Sequence, residues 1–178
     1  MTFSKFDSLL SQRDPQSQRK GTNGPEKSVI LVVDDDPAIR TSLSVMLAGR
    51  YDILLASSAA DGLRTLRDEV CAVILDIKMK GENGFWACDR MRERSPLLPI
   101  IFYSAFQDVK DPYRIINEHR PFAYLTKGGD PKDLLDALEL AVRLYSLVLQ
   151  SRRATKSVVG DGQPTSVRPS ERNTKTNI

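Results

Sequence analysis

The sequence predicts an α/β fold, a five-stranded parallel sheet doubly wound by helices on both faces. Three observations predict it. Strand-like and helix-like segments alternate five times between residues 28 and 151. The links between them are short, which favours right-handed crossovers and therefore parallel pairing. The strand-like runs, such as CAVIL at 71–75, are apolar without alternation, as a sheet buried on both faces requires.

SVILVV (28–33) opens as a buried strand. DPAIRTSLSVMLAG (36–49) follows as a helix, with Asp36 as N-cap, Pro37 at the first helical position and Gly49 past the end. YDILLAS (51–57) reads as the second strand, and SAADGLRTLRDE (58–69) as a helix with Leu63 and Leu66 turned inward. CAVILD (71–76) and GFWACDRMRER (84–94) make the third pair, with Phe85 and Trp86 as packing anchors. LPIIFYSA (98–105) and DPYRIINEHR (111–120) make the fourth, with a second Asp-Pro opening and His119 expected in solvent at the helix end. FAYLTK (122–127) and the long DPKDLLDALELAVRLYSLVLQS (130–151) complete the series. For five such strands the flavodoxin-like order 2-1-3-4-5 is expected.

With 178 residues, 40% hydrophobic and 28% charged, the chain has room for one globular domain and is neither fibrous nor wholly disordered. No apolar run approaches the roughly 18 residues of a membrane span, and the N-terminus lacks the apolar core and cleavage site of a secretory signal. A cytoplasmic location is expected. Cys71 and Cys88 fit neither a disulfide framework nor a zinc site, so both are expected as buried thiols. The net charge of +3 is unevenly spread. Residues 1–28 carry +2 and residues 151–178 carry +4, whereas 29–150 hold 15 basic and 18 acidic side chains. That balance argues against a nucleic-acid-binding core. The expected division is a disordered tail at 1–27, one domain at 28–150 and a disordered basic tail at 151–178.

In an open doubly wound sheet, ligands bind beyond the carboxyl ends of the strands, where strand order reverses. There the first strand ends in Asp34 and Asp35, the third in Asp76, the fourth in Ser104 and the fifth in Lys127. Asp36 alone satisfies the start of a helix, so the two acids before it go beyond what a helix dipole favours. Three carboxylates in one crevice repel one another unless a hard divalent cation such as magnesium sits among them. A Lys ammonium and a Ser hydroxyl can hold the remaining oxygens of a phosphoryl group. An Asp between cation and lysine is then a competent nucleophile toward phosphorus, giving an acyl phosphate.

The pieces ILVVDDDPAIR, AVILDIKMKGENGF, IIFYSA and AYLTK, in that order, resemble the receiver domain of two-component response regulators over roughly residues 28–146. Spacings of 41, 28 and 23 residues separate Asp35, Asp76, Ser104 and Lys127. The resemblance implies that Asp76 is the phospho-acceptor, Ser104 the switch hydroxyl, Tyr124 the switch aromatic and Lys127 the lysine partner. It implies Mg2+ as cofactor, held mainly by Asp35, with Asp34, Asp76 and the backbone carbonyl of Lys78. A sensor histidine kinase or a histidine phosphotransfer protein would be the donor. Phosphorylation would bias the face of helix 4, strand 5 and helix 5 toward a downstream partner or a homodimer. Such a domain catalyses its own loading and hydrolysis and does not turn over an external substrate. A single-domain regulator is expected, with no membrane segment and no dedicated DNA-binding domain.

Two positions depart from the family pattern. Lys80 stands where a proline is usual, and Gly128 replaces the proline that normally follows the lysine through a cis bond. Either a retained cis bond or a rearranged loop is expected there. Two other readings stay open. One is a receiver-like docking module that takes no phosphate. The other is a haloacid-dehalogenase-like phosphatase, whose Asp-x-Asp is echoed by Asp34 and Asp36 but which leaves Asp76 unexplained. The last helix carries more apolar positions than one buried stripe needs, which suits either a sheet-facing side or a docking surface.

Overall fold

The computed structural model describes residues 27–105 and 112–159. The tails expected at either end therefore lie largely outside the described residues. Five strands, β1 (Val29–Val33), β2 (Asp52–Ala56), β3 (Val70–Leu75), β4 (Ile100–Ser104) and β5 (Ala123–Thr126), alternate with five helices. These are α1 (Pro37–Leu47), α2 (Ala59–Thr65), α3 (Gly84–Arg94), α4 (Pro112–His119) and α5 (Pro131–Val159). The sheet order is β2-β1-β3-β4-β5 and every pairing is parallel, as the alternation predicts.

Side chains in a strand alternate between the two faces of a sheet, and both faces here are buried. Leu31, Val33, Val73, Leu75, Ile100 and Phe102 pack on one side, against Ala59 and Leu66, Ala87, Cys88 and Met91 of α3, and Ile115 of α4. Ile30, Val32, Ala72, Ile74 and Ile101 pack on the other, against Leu43 and Leu47 of α1 and Leu134, Leu138 and Ala141 of α5. This two-sided core explains why the strands read as unbroken apolar runs. It also fixes their carboxyl ends along one edge, and the order reverses between β1 and β3. Asp34-Asp35 and Asp76 emerge side by side at that point.

The caps form as the Asp-Pro pairs predict. Asp36 accepts from the Ala38 N–H at 2.8 Å and Asp130 from the Lys132 N–H at 2.9 Å. Asp111 lies outside the described residues. Five expectations are corrected. Helix α2 stops at Thr65 rather than near 69, because Leu66 turns extended (ψ 120°) and its side chain is buried in the core. Helix α5 continues to Val159 rather than ending at 151, so residues 151–159 are helical; no glycine or proline interrupts it from Lys132 onward. His119 is wedged inside rather than solvated: its ring stacks on Phe85 at 4.6 Å and its Nδ1 lies 2.9 Å from Asp89. Phe85 is thus the anchor of α3, edge-on to Phe102 at 5.4 Å, whereas Trp86 is exposed. The two thiols are unpaired, but only Cys88 is buried, and burial pushes its pKa up to about 11; Cys71 is half-buried.

Candidate functional site

The site is built by three loops at the carboxyl edge. Asp34 and Asp35 leave β1 before the Asp36 cap stops the chain running on as strand. Asp76 leaves β3, its N–H donating to the Val33 carbonyl at 2.9 Å, so the two acidic segments are tied at their roots. One ligand oxygen from each of Asp34, Asp35 and Asp76 lies within 4.8 Å of the others. That spacing and an all-carboxylate donor set suit a hard divalent cation.

Lys127 projects into the same crevice from the end of β5. Its Nζ lies 2.7 Å from Asp34 Oδ2 and 2.9 Å from Asp76 Oδ2, with both acids almost fully buried. Burial pulls the Lys127 ammonium down, but the hydrogen bonds and charges of Asp34 and Asp76 outweigh it, leaving a net upward shift. Asp34 is also shifted up, with burial as the largest cause, against the lowering effects of Lys127 and the Asp36 N–H. One ammonium thus faces three carboxylates, and the crevice keeps a surplus of negative charge.

A family model of the response regulator receiver domain matches residues 30–139. The chain belongs to this family. The receiver domain is 29% identical over 120 residues to the nitrate/nitrite response regulator protein NarL of Escherichia coli K12, covering 65% of this chain and 55% of NarL. A receiver domain protein from Clostridium thermocellum superposes with a TM-score of 0.63 at 26% identity, over 68% of this chain and 98% of the other. TrrA from Thermotoga maritima, solved in complex with Mg(2+)-BeF, superposes with a TM-score of 0.57 at 25% identity, over 64% of this chain and 98% of TrrA. The matched stretch spans about half or less of the curated relatives' lengths, 27% in the hydrogenase regulator HoxA of Bradyrhizobium diazoefficiens and 55% in NarL.

The other residues expected at the site fall along the same rim. Ser104 ends β4 and is buried, and its carbonyl accepts from the Lys127 N–H at 3.0 Å. Tyr124 pairs in register with Phe102 and is half-buried; burial, then the charge of Asp76, raises its phenol. Lys78 donates its N–H to Asp76 Oδ1 at 3.3 Å. At Lys127-Gly128 the rearranged loop is what forms: no peptide bond among the described residues is cis, and Gly128 takes φ +87°, a left-handed conformation that glycine adopts without a Cβ penalty.

Three contributors escape sequence reasoning. Arg40, one turn into α1, donates from Nη1 to the Asp34 carbonyl at 2.7 Å and pins the acidic loop. The Lys80 N–H donates to Asp35 Oδ2 at 3.1 Å from the facing loop. Gly84 sits so close to the loop after β3 that a Cβ would lie 2.1 Å from the Asp76 carbonyl oxygen. Only the glycine left a trace in the sequence, in the ENG stretch preceding the helix; the other two are long-range hydrogen bonds with no local signature.

Proposed function

We propose that this receiver domain accepts a phosphoryl group on Asp76 from the phosphohistidine of a sensor histidine kinase or histidine phosphotransfer protein. Magnesium, when bound by Asp35, Asp34, Asp76 and the Lys78 carbonyl, supplies charge neutralisation for the phosphoryl oxygens. TrrA, a similar protein, was solved with Mg(2+)-BeF. The reading rests on the pairing of Lys127 with both Asp34 and Asp76 beside Asp35. Lys127 holds the acceptor carboxylate in place beside the acid pair. Asp76 attacks phosphorus, the bond to the histidine nitrogen breaks, and Lys127 and Ser104 take the phosphoryl oxygens. Such transfer depends on positioning and charge rather than on a separate base.

Modification draws Ser104 toward the phosphoryl group and turns Tyr124 inward, biasing the face of α4, β5 and α5 toward a downstream partner or a second copy. The cycle runs on the domain's own aspartate, and no external substrate is turned over. The cytoplasm, where unpaired thiols such as Cys71 and Cys88 persist, is the proposed location. Incubation with acetyl phosphate and magnesium should add one phosphoryl group to the intact mass, and Asp76→Asn should abolish the gain. An unmodified wild-type mass would defeat the proposal and leave a phosphate-independent docking module instead.

A further inference from the structure

Six carboxylate oxygens line the crevice, and they are not held alike. Asp34 and Asp76 each give Oδ2 to Lys127. Each gives Oδ1 to the N–H two residues further along, Asp36 at 2.9 Å and Lys78 at 3.3 Å. These four bonds are local or come from the shared lysine. Asp35 is different. Its Oδ2 accepts from the Lys80 N–H, a donor 45 residues away on the opposite loop, and its Oδ1 has no partner among the described residues.

We propose that the backbone N–H of Lys80 is a positioning group for Asp35. It fixes one carboxylate oxygen across the crevice so that the other faces the cation, which rests on the reading of the site given above. The donor belongs to the main chain, since the Lys80 side chain is exposed. Its direction is set by the loop: the Gly84 N–H closes the turn onto the Ile77 carbonyl at 2.9 Å, and Gly81 follows Lys80 with φ +84°. Proline at position 80 would have no N–H to offer. Lys80 therefore supplies a main-chain hydrogen bond that a proline at this position could not make. Groups that orient a ligand in this way commonly matter to metal affinity as much as a weak ligand does.

The test is a magnesium titration followed by the emission of Trp86, the single tryptophan, at the start of α3. Lys80→Pro should weaken magnesium binding about tenfold, whereas Lys80→Ala, which keeps the N–H, should stay within about twofold of wild type. In an Asp35→Ala background, proline should have no further effect on residual binding. A nuclear magnetic resonance measurement guards against a misfolded proline variant. In the wild type the Lys80 amide should be slow to exchange, and in Asp35→Ala it should lose that protection. Equal affinity of Lys80→Pro and wild type, equal losses in the alanine and proline variants, or an amide indifferent to Asp35→Ala would each overturn the proposal. Failure of the wild type to bind magnesium would instead overturn the reading of the whole site.

Discussion

Asp34 and Lys127 show how burial and pairing compete at single residues. The Asp34 carboxyl is almost inaccessible and its pKa lies above the ordinary 3.8, because desolvation exceeds the help from Lys127 and the Asp36 N–H. An acid raised in the folded state loses its proton first in the unfolded chain. As pH rises from 3.8 through the raised value, the metal-free fold loses stability, and Asp34→Asn should flatten that part of the profile in thermal melts taken across pH. For Lys127 the sign is reversed. Its net upward shift stabilises the fold below the lysine's ordinary pKa, and that contribution is lost only as pH rises through the folded value. Lys127→Met strands two buried carboxylates and should cost about 3 kcal/mol at neutral pH in chemical denaturation. The cost should shrink on acidification, as Asp34 takes up its proton.

Among the elements, the contact between α3 and the loop after β3 is the least forgiving. Gly84→Ala would set a Cβ 2.1 Å from the Asp76 carbonyl oxygen and 2.8 Å from the Ile77 Cα, and both are backbone atoms that cannot swing aside. We expect a loss of about 2–3 kcal/mol in denaturation, with displacement of Asp76 and, on the proposed function, slower phosphorylation followed by intact mass. Gly81→Ala is the informative contrast. It meets open space, and only the left-handed backbone (φ +84°) penalises it, by about 1 kcal/mol. The end of α4 is held differently. Arg92 on α3 donates to the carbonyls of His119, Arg120 and Pro96, and the His119 ring fills the gap between Phe85 and Asp89. The helix next to the proposed switch strand is thus clamped at its C-terminal end by polar bonds. None of this was legible locally: His119 reads as a helix-end polar residue, and only the packing of α4 beside α3 turns its ring inward.

The described residues form a sheet closed by helices on both faces, with one helix running past it. Leu134, Leu138 and Ala141 of α5 are buried, while Leu140, Leu144 and Leu147 stand exposed along its outer side. In the proposed homodimer those leucines supply the apolar contact. Leu144→Asp should then reduce the dimer fraction seen by sedimentation in the presence of beryllofluoride and magnesium, without lowering the melting temperature. Beyond the sheet, Ser151, Arg152, Ala154 and Thr155 are exposed. Ending the chain after Gln150 should therefore change the unfolding free energy by no more than about 0.5 kcal/mol.

The alternation of segments, the unbroken apolar strands, the Asp-Pro caps and the placing of acids and lysine at strand ends all follow from the order of residues. Each depends on local periodicity, chain connectivity or side-chain type. Helix ends at 65 and 159, the inward turn of His119, the exposure of Trp86 and the bonds from Arg40 and Lys80 do not. These are choices among locally acceptable conformations, decided by which partner from a distant segment arrives to bury a surface or satisfy an N–H.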